Sequence, residues 1–503
     1  MSRRVGRNEN PMRDRDRRTR IVATIGPASR APALLARLLA AGVDVARINA
    51  SHGTRQEHRR AIADLRRAAA RAGRHVGVLL DLQGPKIRVG SLIGGAPVRL
   101  IAGRSVTIEP GDFAGTADRL STTYRGLPRD VARGDTILLD DGRLRLHVVR
   151  SGRSGVTAEV VVGGLLGEHK GINLPGVAVS APSLTRKDFD DLAWGLRAGV
   201  DVVALSFVRR AADVRALRRA IGRRSARPLV IAKVEKPGAV DRIDEILGEA
   251  DGIMVARGDL GVELELAKVP AIQKMLIRKA NDADRLVITA TQMLESMIVS
   301  PVPTRAEVSD VANAIFDGTD AVMLSGETAS GRYPIEAVRT MATIALEAES
   351  NLPLLPERRR TGAREAGTEN AAARAGAESR AMARAACSAA REAGLRTIVV
   401  LTLSGRTALT ISKMQPANRI VAIAADGAVA NRMALFRGVT ALVAPLARRT
   451  EEMIANADRR LLESRAASPG ETVILVAGSA VAVGATNMIK LHVVGSAARR
   501  SRG

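Results

Sequence analysis

The chain has 503 residues, of which 46% are hydrophobic, and a formal net charge of +25; this length predicts about three domains with a substantial core. No apolar run reaches the ~18 residues of a membrane span, and the single cysteine, Cys387, excludes an intramolecular disulfide, so we expect a cytoplasmic protein. Arginines are spread along the chain and aromatic residues are only 2%, which argues against a nucleic-acid partner and favours solvated arginines or, second, anionic phosphate ligands.

The first part of the chain predicts a barrel. Residues 1–18 are charged and lack the apolar segment of a signal peptide, so we expect a disordered basic arm there. Eight short β-branched runs follow, most of them leading through a polar turn into a helical pattern, and they begin at residues 20, 43, 75, 200, 228, 252, 285 and 319. Eight such units predict a (β/α)8 TIM barrel over residues 19–90 and 184–350.

The repeat is interrupted between the third and fourth strands. Residues 91–183 alternate apolar with polar positions and are punctuated by glycine and aspartate, as in "GDTILLDDGRLRLHVVRS". These are signals of antiparallel hairpins. We therefore expect an inserted β-barrel domain after strand 3, which overhangs the functional end of the barrel.

The last third predicts a second α/β unit. Residues 351–367 are polar and alanine-rich and predict a linker or the opening of a helix. Apolar runs such as "RTIVVLTLSG" and "ETVILVAGSA" then alternate with helical patterns. We expect a doubly wound α/β domain over residues 368–503 that serves regulation or oligomerisation.

Polar residues follow nearly every predicted barrel strand. Side chains at the carboxyl ends of barrel strands converge on one face, so this placement favours function, although each residue alone fits a loop role equally well. The set comprises Arg47, Asn49, Ser51, His52, Asp81, Lys86, Arg88, Ser206, Lys233, Glu235, Arg257, Asp259, Thr291, Gln292, Ser325 and Glu327.

Glu235 and Asp259 predict a metal site. They sit at neighbouring strand ends, so carboxylate oxygens of both can face one Mg²⁺ or Mn²⁺ and leave positions for substrate and water. Asp259 alone, in "IMVARGDLG", equally fits an acid that caps the next helix. The adjacent Lys233 can stabilise charge that forms on an anionic substrate, as phosphoryl transfer requires.

The remaining basic residues leave alternatives open. Arg47, Arg88 and Arg257 suit phosphate or carboxylate clamps, and Arg257 suits a structural ion pair equally well. His52 fits a structural hydrogen-bonding role better than that of a base. The sequence has no Walker-type phosphate loop, no G-x-S-x-G elbow and no zinc spacing among its histidines.

Ten segments run in order from residue 23 to residue 338: "ATIGPAS", "ARINASHG", "LDLQGPKIR", "KGINLPG", "SFVR", "IAKVEKP", "IMVARGDLGVE", "TATQMLESM", "PTRAEVSDVANAIFDGTDAVMLSGET" and "YPIEAV". Together they resemble the pyruvate kinase family, in its bacterial, potassium-independent form. The resemblance implies transfer of the phosphoryl group of phosphoenolpyruvate to ADP, giving pyruvate and ATP, in a homotetramer. The implied metal ligands are Glu235 and Asp259.

The resemblance also assigns roles to the other site residues. It implies that Lys233 stabilises the phosphoryl group and the enolate, that Arg47 contacts the phosphoryl group, and that Thr291 lies near the proton-delivery path. Catalytic residues would be Lys233, Arg47, Thr291 and Arg88, and substrate-binding residues Gly258, Asp259, Thr291, Lys233 and Ser206. Nucleotide-binding residues would be His52, Arg88, Lys170 and Asn49.

One departure concerns the monovalent cation. Lys86 stands where potassium-dependent members carry an acid, and Leu82 where they carry a threonine. An ammonium there can replace K⁺ electrostatically, so we predict activity without K⁺. The site's other residues, Asn49, Ser51 and Asp81, would be partly structural.

The segment "LTLSGRTA" resembles the family's effector-phosphate loop. Thr402, Ser404, Arg406 and Thr407 would hold a sugar phosphate or nucleotide there, and a plain turn before a helix fits equally well. The later segment "VAGSAVAVGATN" lacks the Trp and Arg of fructose-bisphosphate-regulated relatives. The effector therefore stays open.

Two other functions compete with this interpretation. A different magnesium-enolate barrel enzyme, such as an aldolase or mutase, would not need the inserted domain that covers a nucleotide. A basic, non-catalytic phosphate- or RNA-binding protein would bind nucleic acid in a salt-dependent way and show no turnover. The presence of Lys233, Glu235, Asp259 and Thr291 argues against a non-catalytic protein.

Overall fold

The computed structural model describes residues 17–223, 227–352, 371–445, 447, 449–478 and 487–496. Most of the predicted arm and linker lies outside these residues. Arg17 and Arg18, which the sequence placed in the disordered arm, are instead packed on the barrel. The Arg17 guanidinium is buried and donates to Asp44 Oδ2 at 2.9 Å, and the Arg18 backbone N–H donates to Glu349 at 2.8 Å. A buried carboxylate within reach explains this correction.

The predicted eight-stranded barrel is confirmed, and all its strands are parallel. It begins with β1 (Arg20–Thr24), α1 (Pro32–Ala41), β2 (Val45–Asn49), α2 (Arg55–Arg71) and β3 (Gly77–Asp81). The insert follows with β4 (Val98–Leu100), β5 (Ser105–Pro110), β6 (Arg119–Thr122), α3 (Leu127–Asp130), β7 (Thr136–Leu139), β8 (Leu144–Ser151), β9 (Val156–Val162), β10 (Gly164–Leu166) and β11 (Ile172–Asn173).

The barrel resumes after the insert and then gives way to the C-terminal domain. Its second part comprises α4 (Arg186–Arg197), β12 (Val202–Leu205), α5 (Ala211–Ile221), β13 (Leu229–Val234), α6 (Pro237–Asp241), α7 (Ile243–Glu249), β14 (Gly252–Ala256), α8 (Arg257–Glu263), α9 (Val269–Asp282), β15 (Leu286–Ala290), α10 (Arg305–Phe316), β16 (Ala321–Leu324), α11 (Gly326–Ala329) and α12 (Pro334–Asn351). The C-terminal domain comprises α13 (Ala371–Glu392), β17 (Thr397–Thr402), α14 (Arg406–Lys413), β18 (Arg419–Ala424), α15 (Gly427–Met433), β19 (Val439–Val443), α16 (Thr450–Glu463), β20 (Thr472–Ala477) and β21 (Met488–Val493).

The strands form one barrel and three sheets. The barrel closes in the order β1-β16-β15-β14-β13-β12-β3-β2, so β3 and β12 are neighbours although the insert separates them along the chain. The insert has a six-stranded sheet, β11-β7-β8-β9-β5-β6, and a two-stranded sheet, β10-β4; its pairs are antiparallel except β5 with β6. The C-terminal sheet has the order β19-β18-β17-β20-β21, with β21 antiparallel.

Several helices start at sequence-encoded caps. The hydroxyl oxygens of Thr54, Thr185 and Thr304 each accept a hydrogen bond from the backbone N–H three residues on, and the carboxylate at that position accepts one from the threonine N–H. This reciprocal capping box satisfies N–H groups that the helix itself leaves unpaired. The helices α2, α4 and α10 therefore begin at fixed positions just beyond barrel strands or the insert.

The barrel interior continues into the C-terminal domain. Residues that fill the barrel, such as Val22, Leu79 and Ile231, form one buried apolar cluster with Ile411 and Phe436 of the C-terminal domain. The C-terminal domain lies at the amino ends of the barrel strands, as the Gly77 backbone near Asn431 indicates. The carboxyl ends are left for the insert, which bounds the cleft described next.

Candidate active site

Lys233 is the centre of a polar cluster at the carboxyl ends of the barrel strands. Its ammonium donates to Ser206 Oγ at 2.8 Å and lies 2.7 Å from Glu235 Oε1 and 3.4 Å from Asp81 Oδ1. These residues end β13, β12 and β3 or directly follow them. The geometry thus brings together residues that are more than 150 positions apart in the sequence.

Arg47, in the middle of β2, extends this cluster. Its Nε and Nη2 lie 2.8 and 2.7 Å from Asp81 Oδ2, and its Nη1 donates to Thr24 Oγ1 at 2.9 Å. Asp81 is only 1% exposed, so its carboxylate is compensated by two cations, Arg47 and Lys233. Such pairing is what keeps a buried charge tolerable.

The electrostatics keep these groups ionised. Burial alone would lower the pKa of Lys233, but Asp81, Glu235 and Asp259 outweigh it and raise the pKa above its ordinary value. Burial would raise the pKa of Asp81, and Lys233 and Arg47 reverse this, so the pKa lies below its usual range. Lys233 therefore keeps a permanent positive charge within the cluster.

Glu235 and Asp259 fit a hard divalent cation. Burial raises the pKa of Glu235, and the negative charge of Asp259 adds to that rise. Glu235 Oε2 accepts the Phe207 N–H at 2.8 Å, whereas the Asp259 carboxylate accepts no hydrogen bond from any residue that the structure describes. No group of three His, Cys, Asp or Glu that could hold a metal occurs among the described residues. Two carboxylates suffice for Mg²⁺, which takes its other ligands from substrate and water.

The start of α8 lies directly after β14 and faces Thr291. The Gly258 N–H donates to Thr291 Oγ1 at 3.1 Å. A Cβ on Gly258 would lie 2.7 Å from that oxygen, so only glycine fits without a shift. Arg257 turns away and donates to Asp310 at 2.6 Å and to the Thr291 carbonyl at 2.7 Å. Of the two roles that the sequence allows for Arg257, the structure shows the structural ion pair.

The site opens into a cleft between barrel and insert. The cleft is lined by Pro85, Lys86, Ile87, Asp141, Gly171, Ile172, Asn173, Leu174, Val179, Ala181, Phe207, Arg209, Lys236 and Asp259. Asp259 lies on its barrel side, and Lys86 and Asn173 lie where the chain enters and leaves the insert. A ligand in this cleft would contact both domains.

The residues predicted to bind nucleotide form two neighbouring pairs. The His52 N–H donates to the Asn49 carbonyl at 3.3 Å, and Arg88 precedes Val89, whose N–H donates to the Lys170 carbonyl at 2.9 Å. Lys170 Nζ pairs with Asp140 Oδ1 at 2.8 Å, and Arg88 Nη1 donates to the His169 carbonyl at 2.8 Å. The pKa of His52 is lowered, first by burial and then by the nearby positive charges of Lys86, Arg88 and Arg47. This lowered pKa keeps His52 neutral over more of the pH range.

Among the predicted monovalent-cation residues, Asn49 and Asp81 are direct neighbours across β2 and β3. Asp81 is engaged by Arg47 and Lys233, Leu82 is buried, and Asn49 Oδ1 accepts the Ser51 N–H at 3.1 Å. Lys86 is exposed, and its ammonium makes no hydrogen bond or ion pair with a described residue. Its charge is nevertheless felt at His52.

The candidate effector loop follows β17, beside β20. Here the order of strands reverses, and doubly wound sheets bind ligands at such a point. Thr402 Oγ1 accepts the Gly405 N–H at 3.0 Å, and Ser404 and Arg406 are exposed. Thr407 lies in the first turn of α14. Part of the predicted effector segment "VAGSAVAVGATN" lies outside the described residues.

The sequence reasoning missed residues that support the site from behind. It singled out Ser206 but not Phe207, whose backbone holds Glu235, nor Arg209, which lines the cleft. Glu327 is fully buried and accepts the Leu294 and Ser325 N–H groups at 3.1 and 2.7 Å, so it fixes the loop after β15 and does not face the cleft. The motif "SFVR" contains Arg209 and could have indicated it. The partners of Arg209 are distant in the sequence and cannot be predicted from residue spacing.

Family models match both main parts of the chain. The model for the pyruvate kinase barrel domain matches residues 16–338, and the model for the pyruvate kinase alpha/beta domain matches residues 380–492. None of the helices in the described residues is long and apolar enough to cross a membrane.

Curated relatives and solved structures carry the same name. The chain is 44% identical to pyruvate kinase of Geobacillus stearothermophilus over 494 residues, covering 97% of this chain and 82% of that one. It is 44% identical to pyruvate kinase of Mycobacterium intracellulare over 480 residues, covering 95% and 99%. The crystal structure of a pyruvate kinase from Cryptosporidium parvum superposes with a TM-score of 0.85 at 36% identity, covering 96% and 97%.

Proposed function

Because the chain belongs to the pyruvate kinase family, we propose that it transfers the phosphoryl group of phosphoenolpyruvate to ADP, giving pyruvate and ATP. The observation that carries the proposal is Lys233, whose side chain is 12% exposed and lies against Ser206, Glu235 and Asp81 at the functional end of the barrel. In the transfer, an oxygen of the ADP β-phosphate attacks phosphorus and the bond from phosphorus to the enol oxygen breaks. The electron pair of that bond remains on the enolate.

The charge balance of the site suits an anionic substrate with a divalent cation. Asp81, Glu235 and Asp259 carry three negative charges, whereas Arg47 and Lys233 carry two positive ones. We propose that Glu235 and Asp259 hold Mg²⁺ or Mn²⁺, which when bound polarises phosphoryl and enolate oxygens. The site with its cation would then carry a net positive charge.

Lys233 and Arg47 act on the transferring group. We propose that the Lys233 ammonium stabilises negative charge on the phosphoryl oxygens and then on the enolate oxygen, because burial strengthens such interactions. Arg47 contacts the phosphoryl group, and Asp81 holds its guanidinium in place through two N–H groups. Ser206, which accepts from Lys233, orients the ammonium.

Thr291 and the start of α8 serve the substrate carboxylate. Backbone N–H groups at a helix start are good partners for an anion, and we propose that those of Gly258 and Asp259 receive the carboxylate together with the Thr291 hydroxyl. The enolate is then protonated at its methylene carbon to give pyruvate. Thr291 lies near the proton path in this proposal.

The nucleotide would lie in the cleft between barrel and insert. We propose that His52, Arg88, Lys170 and Asn49 bind ADP, with Arg88 also close to the phosphoryl group. Arg88 and Lys170 lie side by side where the insert joins the barrel, and a lid brings its residues to the ligand only on closing. ADP contacts would then draw the insert towards the barrel.

Lys86 supports a potassium-independent reaction. Its ammonium has no described acidic partner and lies near His52, so its charge is available to the anionic substrates. We propose that it replaces K⁺, and that the protein acts in the cytoplasm as a homotetramer. The loop of Thr402, Ser404, Arg406 and Thr407 would bind a sugar-phosphate or nucleotide effector.

The proposal is tested by pyruvate formation from phosphoenolpyruvate and ADP, with and without Mg²⁺. Lys233→Met should lower kcat at least about 10³-fold, and it also leaves Asp81 and Glu235 poorly compensated. The matched control is Lys268→Met, since Lys268 is exposed and, within the described ranges, pairs only with Glu265 on the surface. Absence of ADP-dependent pyruvate formation in the wild type, with and without a sugar-phosphate titration, would overturn the proposal.

A further inference from the structure

The insert is joined to the barrel by two chain segments, which we call crossings. The outbound crossing, residues 82–90, follows β3, and the return crossing, residues 174–185, leads into α4. Any motion of the insert as a lid must bend these two segments, because they are its covalent connections to the barrel. The contacts that hold each crossing therefore set the position of the lid.

Asp188 fixes the outbound crossing. Its carboxylate is fully buried in α4, and its Oδ1 accepts the Gly84 N–H at 3.0 Å. Its Oδ2 accepts the Thr185 N–H at 2.8 Å and the Thr185 hydroxyl at 2.6 Å. One side chain thus joins both crossings at the barrel surface. Gly84 is also covered by Phe207, whose ring leaves no room for a Cβ.

The return crossing is held from two sides at residues 179–181. Arg209, on the barrel, donates to the Val179 carbonyl and, at 2.6 Å, to the Ala181 carbonyl. On the opposite side, Asp130 Oδ2 of the insert accepts the Ser180 N–H at 2.7 Å, and Tyr124 Oη lies 3.0 Å from Ser180 Oγ. The Val179 and Ala181 carbonyls thus bind the barrel and Ser180 binds the insert, so a three-residue segment contacts both domains.

Arg209 is free for this role. Its guanidinium makes no ion pair with any acid among the described residues, and it donates hydrogen bonds to the two carbonyls. A guanidinium fork can hold two acceptors at a fixed spacing, which an ammonium cannot do equally well. The carbonyls it holds belong to a segment whose other contacts lie in the insert.

We propose that residues 179–181 form a latch between lid and barrel, in which Arg209 is a positioning residue for the nucleotide step. The proposal rests on the proposed function, because the lid matters through the ADP that it covers. Loss of the barrel side of the latch leaves the lid attached through Asp188 but free to swing further from the cleft. Binding of phosphoenolpyruvate, whose proposed residues lie in the barrel, is unaffected.

The experiment compares the wild type with Arg209→Met, Tyr124→Phe and the double variant. We expect Arg209→Met to raise KM for ADP about three- to tenfold and to leave KM for phosphoenolpyruvate within about twofold. Arg209→Lys should recover part of the loss. The control is Arg186→Met, since Arg186 is exposed at the start of α4 and makes no side-chain contact with a described residue.

Hydrogen exchange of the nucleotide-free protein separates a latch from a direct nucleotide contact. Without Arg209 the Ser180 amide and its neighbours should exchange about tenfold faster in the absence of ADP. Tyr124, which does not line the cleft, should act on the same equilibrium, so the effects of the two substitutions should not add. Unchanged exchange with a raised KM for ADP would assign Arg209 to nucleotide binding and overturn the latch.

The same measurements keep the two proposals apart. A wild type without turnover would defeat the proposed function, while the exchange rates would still decide whether the latch exists. An active wild type with unchanged exchange and unchanged KM for ADP in Arg209→Met would overturn the latch and leave the proposed function intact.

Discussion

Lys233 illustrates how single residues define this site. Three acids surround it, and together they outweigh burial and keep its ammonium charged. Among the described cations, Arg47 also pairs with one of these acids, Asp81. Removal of any one charge therefore changes the balance for all the others, and effects of paired substitutions should not be additive.

Gly258 is a residue-scale test of the substrate carboxylate site. Gly258→Ala places a Cβ 2.7 Å from Thr291 Oγ1, so the start of α8 or the hydroxyl must shift. We expect KM for phosphoenolpyruvate to rise or kcat to fall by about tenfold or more, since small misplacements are costly in catalysis. Steady-state kinetics measure this. Gly238→Ala is the control, because nothing lies within 4 Å of a Cβ there, and an equal effect in both variants would refute the argument.

Lys86 is a residue-scale test of potassium independence. The wild type should show no large stimulation by K⁺, because the Lys86 charge is already present near the cleft. Lys86→Glu should lower activity without K⁺ by about tenfold or more and make the enzyme K⁺-dependent, since it reverses that charge. Rates with K⁺ and with tetramethylammonium at constant ionic strength measure this. Strong K⁺ stimulation of the wild type would contradict it.

The helix α14 connects the candidate effector loop with the barrel. It starts at Arg406 in that loop and ends at Lys413, whose fully buried ammonium lies 2.6 Å from Asp320 Oδ2 at the start of β16. Asp320 also accepts the Val287 N–H of β15 at 2.8 Å. One short helix therefore spans from the switch point of one sheet to the base of the barrel.

Breaking this element-scale ion pair should be costly. Lys413→Met leaves Asp320 as a buried charge without its cation, and we expect a loss of about 3–5 kcal/mol in unfolding free energy. The matched control is Lys274→Met, which removes an ion pair of the same 2.6 Å with Asp317 but has an exposed lysine. That change should cost about 1 kcal/mol or less. Thermal unfolding measures both, and equal losses would show that burial is not the deciding factor.

At the scale of the whole molecule, Asp44 controls how the C-terminal domain is attached. It pairs with Arg17 and Arg20, and the Arg20 guanidinium also donates to the Phe436 and Val439 carbonyls of the C-terminal domain. Burial would raise the pKa of Asp44, but Arg17, Arg20 and Arg74 reverse this and hold it below its ordinary value of 3.8. The ionised form of Asp44 is therefore more strongly favoured over the protonated form in the folded protein than in the unfolded chain.

This shift fixes the sign of a pH effect. The stability that Asp44 contributes is complete above about pH 3.8, its unfolded pKa, and is lost as pH falls through the lower folded pKa. Asp44→Asn should lower the melting temperature at pH 7 and flatten its fall in acid. Melting curves from pH 7 down to about pH 2 test this. If the melting temperature of the variant fell as steeply in acid as that of the wild type, carboxylates other than Asp44 would be responsible for the fall.

The sequence predicted what depends on local pattern and on the ends of strands. Continuous apolar runs gave the eight barrel strands, and the polar residues after them included Arg47, Asp81, Ser206, Lys233 and Glu235, which the structure joins in one cluster. The capping box at Thr185 depends on local sequence alone, because its partner is three residues away. The hydrogen bond from the Gly84 N–H to Asp188 could not be predicted in the same way, because the two residues are 104 positions apart. Contacts at that separation depend on the folded arrangement of the crossings.

The insert between β3 and β12 has a consequence for folding. These barrel neighbours are about 120 residues apart along the chain, and closing so long a loop costs roughly 3 kcal/mol more entropy than a six-residue connection. A folded insert removes most of that cost, because the Val89 N–H binds the Lys170 carbonyl and the Ile172 N–H binds the Ile87 carbonyl. The insert thereby shortens the path between the two strands, and its early folding would speed barrel closure.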